Sequence, residues 1–137
     1  MASQTILVIG GAGFIGSHVT QMLVREGYHP IVFDNLCRGC REAVTDAPLV
    51  EGDLDNVTEL SQVFQRYPIS AVMHFAAYAD VGESFSKPLE YYTNNVSNTL
   101  NLLKVMLQHE VKHLIFSSSA AIFGLPQQKK ISEQHPC

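Results

Sequence analysis

The segment Gly10-Gly11-Ala12-Gly13-Phe14-Ile15-Gly16 most limits how this chain can fold. It reads as G-x-x-G-x-x-G through Gly10, Gly13 and Gly16, and as G-x-G-x-x-G through Gly11, Gly13 and Gly16. Before it stands Ile6-Leu7-Val8-Ile9, a β-branched-rich run suited to a buried strand. After it, Phe14 to Glu26 spaces Ile15, Val19, Met22 and Leu23 along one side of a helix, and Gly27 is a stop. A strand turning through glycines into a helix is the context a phosphate-binding turn requires. The early glycines permit a tight turn with positive φ. Gly13 lets a diphosphate approach the backbone, and Gly16 lets the helix pack closely on the strand. The helix start then offers N–H groups and a positive dipole end to an anion. The other reading of the same string is a glycine-rich turn without a ligand.

Apolar runs and helical spacings alternate through the rest of the chain. Strands are predicted at Pro30–Phe33, Pro48–Val50, Ala71–Phe75 and His113–Ser117. Val57–Arg66 is predicted as a helix with Val57, Leu60, Val63 and Phe64 on its inner face and Asp55-Asn56 at its cap. Asn35–Thr45 reads as loop with room for a short helix, and Ala77–Phe85 and everything from Ser118 onward read as loop. Pro88 opens a predicted long helix to about Glu110, with Tyr92, Val96, Leu100, Leu103 and Leu107 as its stripe. Strands alternating with helices imply parallel pairing, and the expected order is 3-2-1-4-5. The fold class is therefore α/β, a doubly wound Rossmann sheet. A full dinucleotide fold wants a further strand, so the 137 residues are expected to form one incomplete domain, truncated after its fifth strand.

Composition narrows the partners. Hydrophobic residues make up 46% and charged ones 16%, too apolar for a disordered chain. The net charge of -4 provides no basic face for nucleic acid or an anionic membrane. Cys37, Cys40 and Cys137 are too few for a disulfide framework and read as reduced thiols of a cytoplasmic protein. The apolar stretch Thr5–Ile15 is broken by glycines and has no basic segment before it, so it is not expected to be a leader.

Asp34 ends the second strand, 18 residues after Gly16, where a carboxylate accepts from the ribose hydroxyls of adenosine. It would repel a 2′-phosphate, which favours NAD over NADP, although Arg38 and Arg41 lie close by. Asp34 could equally be a turn former. Asp53, after the third strand, could accept from an adenine amine or could cap a turn. Ser117-Ser118-Ser119 leaves the fifth strand at the carboxyl edge where ligands bind, or is a serine-rich strand end. His109-Glu110-Val111-Lys112-His113 matches H-E-x-x-H, but the helix is expected to end between the two histidines, so no zinc site is expected. Cys37-Arg38-Gly39-Cys40 is a C-x-x-C in a loop with no second pair, so neither metal nor redox work is expected of it. His74 ends an apolar strand and reads as a satisfied buried histidine.

Taken together, the segments resemble the extended short-chain dehydrogenases, and most closely the UDP-glucose 4-epimerases and related UDP-sugar 4-epimerases. The carriers are Gly10–His18, Asp34–Cys37, Glu51–Asp53, His74–Ala77, Val81–Ser84, Lys87–Tyr92, Asn94–Val96 and Phe116–Ser119. The resemblance implies tightly held NAD used as a catalyst. A sugar C4 hydroxyl is oxidised to a ketone, the intermediate rotates, and hydride returns to the other face. It implies that Gly10, Gly13, Phe14, Ile15 and Gly16 form the diphosphate turn. Asp34, Asn35 and Leu36 would bind adenosine ribose, and Asp53 with Leu54 would flank adenine. Phe75, Ala76, Ala77 and Asn94 would line the cofactor, Ser117 would stand near the nicotinamide, and Ser119 would be the catalytic serine. The implied partners are a UDP-sugar and a second copy of the parent enzyme.

The chain departs from the family pattern at Ala79, where a lysine is common, and at Phe123, where a tyrosine is common. It also lacks the acid/base pair Y-x-x-x-K. Tyr28, Tyr67, Tyr78, Tyr91 and Tyr92 are followed four residues later by Val32, Ala71, Gly82, Asn95 and Val96. The pair and the sugar-binding lobe are expected beyond Cys137. These residues alone are then expected to be inactive and, with a bare fifth strand and a bare long helix, prone to self-association. The reading from a different class is a dinucleotide-binding module without catalysis.

Overall fold

A computed structural model describes residues 4–125 and 129–136. Cys137, read above as a reduced thiol, lies outside the described residues. Five strands form one parallel sheet: β1 (Thr5–Ile9), β2 (His29–Asp34), β3 (Leu49–Glu51), β4 (Ile69–His74) and β5 (His113–Phe116). Their order is β3-β2-β1-β4-β5, as the alternation predicts. Central β1 is buried along its whole length, which is why Ile6–Ile9 is an unbroken apolar run.

The pleat sends alternate side chains to opposite faces. Leu7, Ile9, Ile31, Phe33 and Val72 form one core with Leu60, Val63 and Phe64 of α2 (Val57–Arg66) and Leu102, Val105 and Met106 of α5 (Asn98–Gln108). Asn56, one of the two expected cap residues, caps α2 by accepting from the Glu59 N–H. On the other face, Ile6, Val8 and Val32 are buried on the side of α1 (Phe14–Arg25).

The inner face of α1 differs from the expected stripe. Gly16, Ser17 and Thr20 are buried, whereas Ile15 and Met22 are exposed. Both sets have helical spacing, so periodicity does not choose between them. Small residues win because the glycine turn brings the helix start against the strand end: a Cβ on Gly16 would sit 2.2 Å from the Gly10 carbonyl oxygen. The Ser17 and Thr20 hydroxyls go in without cost in hydrogen bonds, donating to the carbonyls of Phe14 and Gly16.

The predicted long helix is three pieces: α4 (Pro88–Tyr92), a π segment (Thr93–Ser97) and α5. Its expected stripe is again mostly the outer one. Tyr92, Val96, Leu100 and Leu107 are exposed, and Tyr91, Leu102, Val105 and Met106 are buried. This helix is apolar on both sides, and the position of the sheet decides which side is covered. The expected loop Ala77–Phe85 contains α3 (Val81–Ser86), whose start is capped by Asp80 accepting from the Glu83 N–H. A 3-10 turn at Ala120–Phe123 interrupts the expected terminal loop, and another at Arg41–Ala43 supplies the short helix for which Asn35–Thr45 has room. β4 begins two residues earlier than expected and both it and β5 end one earlier, so Phe75 and Ser117 are first residues past the sheet.

Gly16 and Gly27 separate crowding from backbone strain. The Gly16→Ala change forces a methyl into backbone atoms that have nowhere to go, and a loss of about 3 kcal/mol is expected. Gly27, at φ +80, has nothing within 4 Å of a built Cβ, so Gly27→Ala is expected to lose only about 1 kcal/mol of left-handed strain. Urea denaturation of the two variants beside the parent chain measures both.

Candidate dinucleotide site

The register brings the carboxyl ends of neighbouring strands level: Ile9 pairs with Phe33 and with His74, Asp34 with Glu51, and His74 with Phe116. The residues that follow each strand therefore gather at one edge of the sheet. Those following β1, β2, β3 and β4 line an open cleft of about 120 Å3.

Gly10 turns the chain there with φ +75, and its N–H donates to the Phe33 carbonyl at 2.9 Å. A Cβ on Gly10 would lie 2.6 Å from the Ala76 nitrogen, so the turn is pressed against the backbone leaving β4. Gly13 sits at the cap position of α1, where no side chain caps the helix and the first turn holds no acidic residue. The amides at this helix start thus retain their capacity for an anion.

Asp34 ties the cleft together. One carboxylate oxygen accepts the Ala12 N–H and the other the Leu36 N–H, both at 2.9 Å, with Leu36 held at φ 59. It is therefore a turn former, as one of its two readings requires, and it still presents a carboxylate to the cleft. Asn35 donates from Nδ2 to Asp53 at 2.5 Å and accepts the Cys37 N–H, which joins the ends of β2 and β3. Asp53 also accepts the Asp55 N–H.

Across the cleft, the π segment presents Asn94 and Asn95. Asn94 lines the cleft. Asn95 grips the backbone of Tyr78, accepting its N–H at 2.8 Å and donating to its carbonyl at 2.9 Å. Behind them His74 is 2% exposed. Its Nδ1 accepts the Ala76 N–H, so Nε2 carries the proton and donates to Thr99 Oγ1, which donates onward to the Asn95 carbonyl. Burial pushes its pKa down to about 4. His74 is thus the satisfied neutral histidine that its strand-end position suggests.

Of the expected cofactor residues, Gly10, Gly13, Asp34, Asn35, Asp53, Leu54, Phe75, Ala76, Ala77 and Asn94 line this one cleft. Phe14, Ile15, Gly16, Leu36, Ser117 and Ser119 are not among its walls. Gly16 is the packing contact already described, and Phe14 and Ile15 are exposed beside the turn. Ser117 donates its N–H to the His74 carbonyl, and Ser119 Oγ accepts the Ala121 N–H at 3.1 Å. Tyr78 lines the cleft with no sequence motif of its own, beside Arg38, which the sequence places near Asp34. The Arg38 guanidinium stacks 4.2 Å from the centre of the Tyr78 ring and pairs with Glu83. Arg41 pairs with Glu51. His109 is committed elsewhere, bonded to Ser61 and stacked on Phe64. Cys37 meets the Tyr78 hydroxyl at 3.9 Å, while Cys40 donates to Glu42.

A parallel sheet of this order with a glycine turn at the end of β1 defines a dinucleotide-binding Rossmann protein. Residues 6–137 match the model of the NAD dependent epimerase/dehydratase family, and the chain belongs to that family. NAD is the cofactor of the family. The chain is 44% identical over 135 residues to a UDP-glucose 4-epimerase of Rhizobium leguminosarum bv. trifolii, covering 98% of this chain and 41% of that relative. With a UDP-glucose 4-epimerase of Lactobacillus helveticus the identity is 48%, covering 96% and 40%. Among solved structures, the UDP-glucose 4-epimerase of Brucella ovis in complex with NAD superposes with a TM-score of 0.86 at 43% identity, covering 98% of this chain and 41% of that one. That of Bifidobacterium longum in complex with NAD+ and UDP gives 0.84 at 40% identity, covering 97% and 42%. The chain thus spans about two fifths of the length of the relatives it matches. Among the described residues no helix is long and apolar enough to cross a membrane.

The buried neutral His74 makes stability depend on pH. Its folded pKa of about 4 lies below the ordinary 6.5, so the unfolded chain takes up the proton first. Its contribution is complete above pH 6.5 and is expected to fall by about 3 kcal/mol as pH drops to 4. Urea midpoints across that range should show a slope that His74→Gln reduces.

Proposed function

We propose that this chain forms the NAD-holding part of an enzyme like the UDP-glucose 4-epimerases, acting at C4 of a UDP-sugar. The observation that carries the reading is one cleft at level strand ends where the Gly10 turn, an uncapped helix start and the Asp34 carboxylate meet. The residues present fit the cofactor: the start of α1 has no side-chain cap and no acidic residue in its first turn, which suits a diphosphate.

In this reading Gly10, Gly13 and the backbone of Phe14 and Ile15 hold the diphosphate, with Gly16 keeping the helix close. Asp34, Asn35 and Leu36 hold the adenosine ribose, and Asp53 and Leu54 flank adenine. Phe75, Ala76, Ala77 and Asn94 line the rest of the cofactor, and Ser117 stands toward its nicotinamide end. Bound NAD supplies a reversible hydride acceptor. Ser119 Oγ accepts an amide bond from Ala121, which leaves its own proton to donate to the reacting sugar oxygen. General acid–base work needs a positioned proton carrier. None of the five tyrosines has a lysine four residues on, so the 137 residues by themselves do not turn over.

Calorimetric titration of the chain with NAD, beside NADP and an Asp34→Ala control, tests the binding part. Saturable binding of NAD, weaker for NADP and at least tenfold weaker in the control, is expected; absence of NAD binding by the folded chain contradicts it. No conversion of UDP-galactose above a blank is expected of the chain alone, and measurable epimerisation would overturn the assignment of the missing proton carrier.

A further inference from the structure

Asp34 accounts for only part of the charge around the ribose end of the cleft. Gly39 lies against it, with a built Cβ 2.9 Å from its Oδ1, which places the neighbouring Arg38 in the same loop turn. Arg38 lines the cleft and is the kind of cation that accepts a ribose 2′-phosphate in NADP sites. Here one arm of its guanidinium is already engaged. Its carbon stands over the Tyr78 ring, and it pairs with Glu83 of α3. Glu83 is itself held by the Tyr91 hydroxyl at 2.8 Å and by Lys87 at 3.3 Å.

We infer that Glu83 is a specificity-determining positioning residue, selecting NAD over NADP by holding Arg38 away from the 2′ position of the adenosine ribose. The inference rests on the NAD reading above and adds a residue that never touches the cofactor. Two negative charges then act against a 2′-phosphate: Asp34 directly, and Glu83 by engaging the Arg38 cation. The Arg38–Glu83 bond also links the loop after β2 to α3, so the selecting group and the cleft wall are tied together.

Arg38 is a guanidinium with five donors, so one lost partner frees a fork that matches phosphate oxygens. Glu83 is itself only partly exposed, with 30% of its side-chain surface open, and the Arg38 bond is the largest cause holding its carboxyl down to about pKa 2. It therefore stays anionic through the neutral pH range.

The test is calorimetric titration of the full chain with NAD, with NADP and with 2′,5′-ADP. The variants are Glu83→Gln, Glu83→Ala, and Glu83→Gln combined with Arg38→Ala. Expected is an NADP-to-NAD affinity ratio raised about tenfold in Glu83→Ala, less in Glu83→Gln, and returned toward the parent value when Arg38 is also removed. A purely structural role for Glu83 would weaken both dinucleotides together and leave the ratio alone, which overturns the inference. Unchanged ratios in both single variants that still bind NAD overturn it as well, with the NAD reading intact. Failure of the parent chain to bind NAD overturns that reading and this inference with it.

Discussion

The close approach of the glycine turn to its neighbours is the constraint on which the rest of the molecule depends. Gly10 has room only because it lacks a Cβ next to Ala76, and Gly16 only because it lacks one next to Gly10. These two contacts dock the start of α1 onto the ends of β1 and β4. They also fix which face of α1 is buried, and they aim an uncapped helix start at the cleft. Packing and binding geometry are set by the same two missing methyl groups.

Asp34 extends that arrangement to the second strand. By accepting the amides of Ala12 and Leu36, one carboxylate binds the glycine turn to the loop after β2. Asn35 and Asp53 pass the connection on to β3. On the opposite wall Asn95, Thr99 and His74 form a second chain of satisfied bonds that holds the Tyr78 backbone. The cleft is thus walled by two hydrogen-bonded networks, with Arg38 and Glu83 bridging them.

Strand order, the glycine turn and most cleft residues were legible in the sequence, because β-branched runs, glycine spacing and a strand-end aspartate each have one dominant physical use. The buried faces of α1 and α5 were not. Ile15 and Met22, like Leu100 and Leu107, have good helical spacing yet face outward. Periodicity records that a side is apolar, and only the sheet's position decides whether it is covered. The π segment and α3 escaped for a related reason: local bonds from Asp80 and the helix backbone produce them, without a long periodic pattern. Arg38 was noted near Asp34, but its contact with Tyr78 was not legible, because a contact between residues 38 and 78 has no signature along the chain.

The most direct measurement is amide hydrogen exchange of the chain with and without NAD, read segment by segment. Expected is slower exchange across residues 10–16, 34–39 and 74–78, with α2 and the far side of its core unchanged. Protection confined to other segments, or none in the glycine turn at saturating NAD, would contradict the site described.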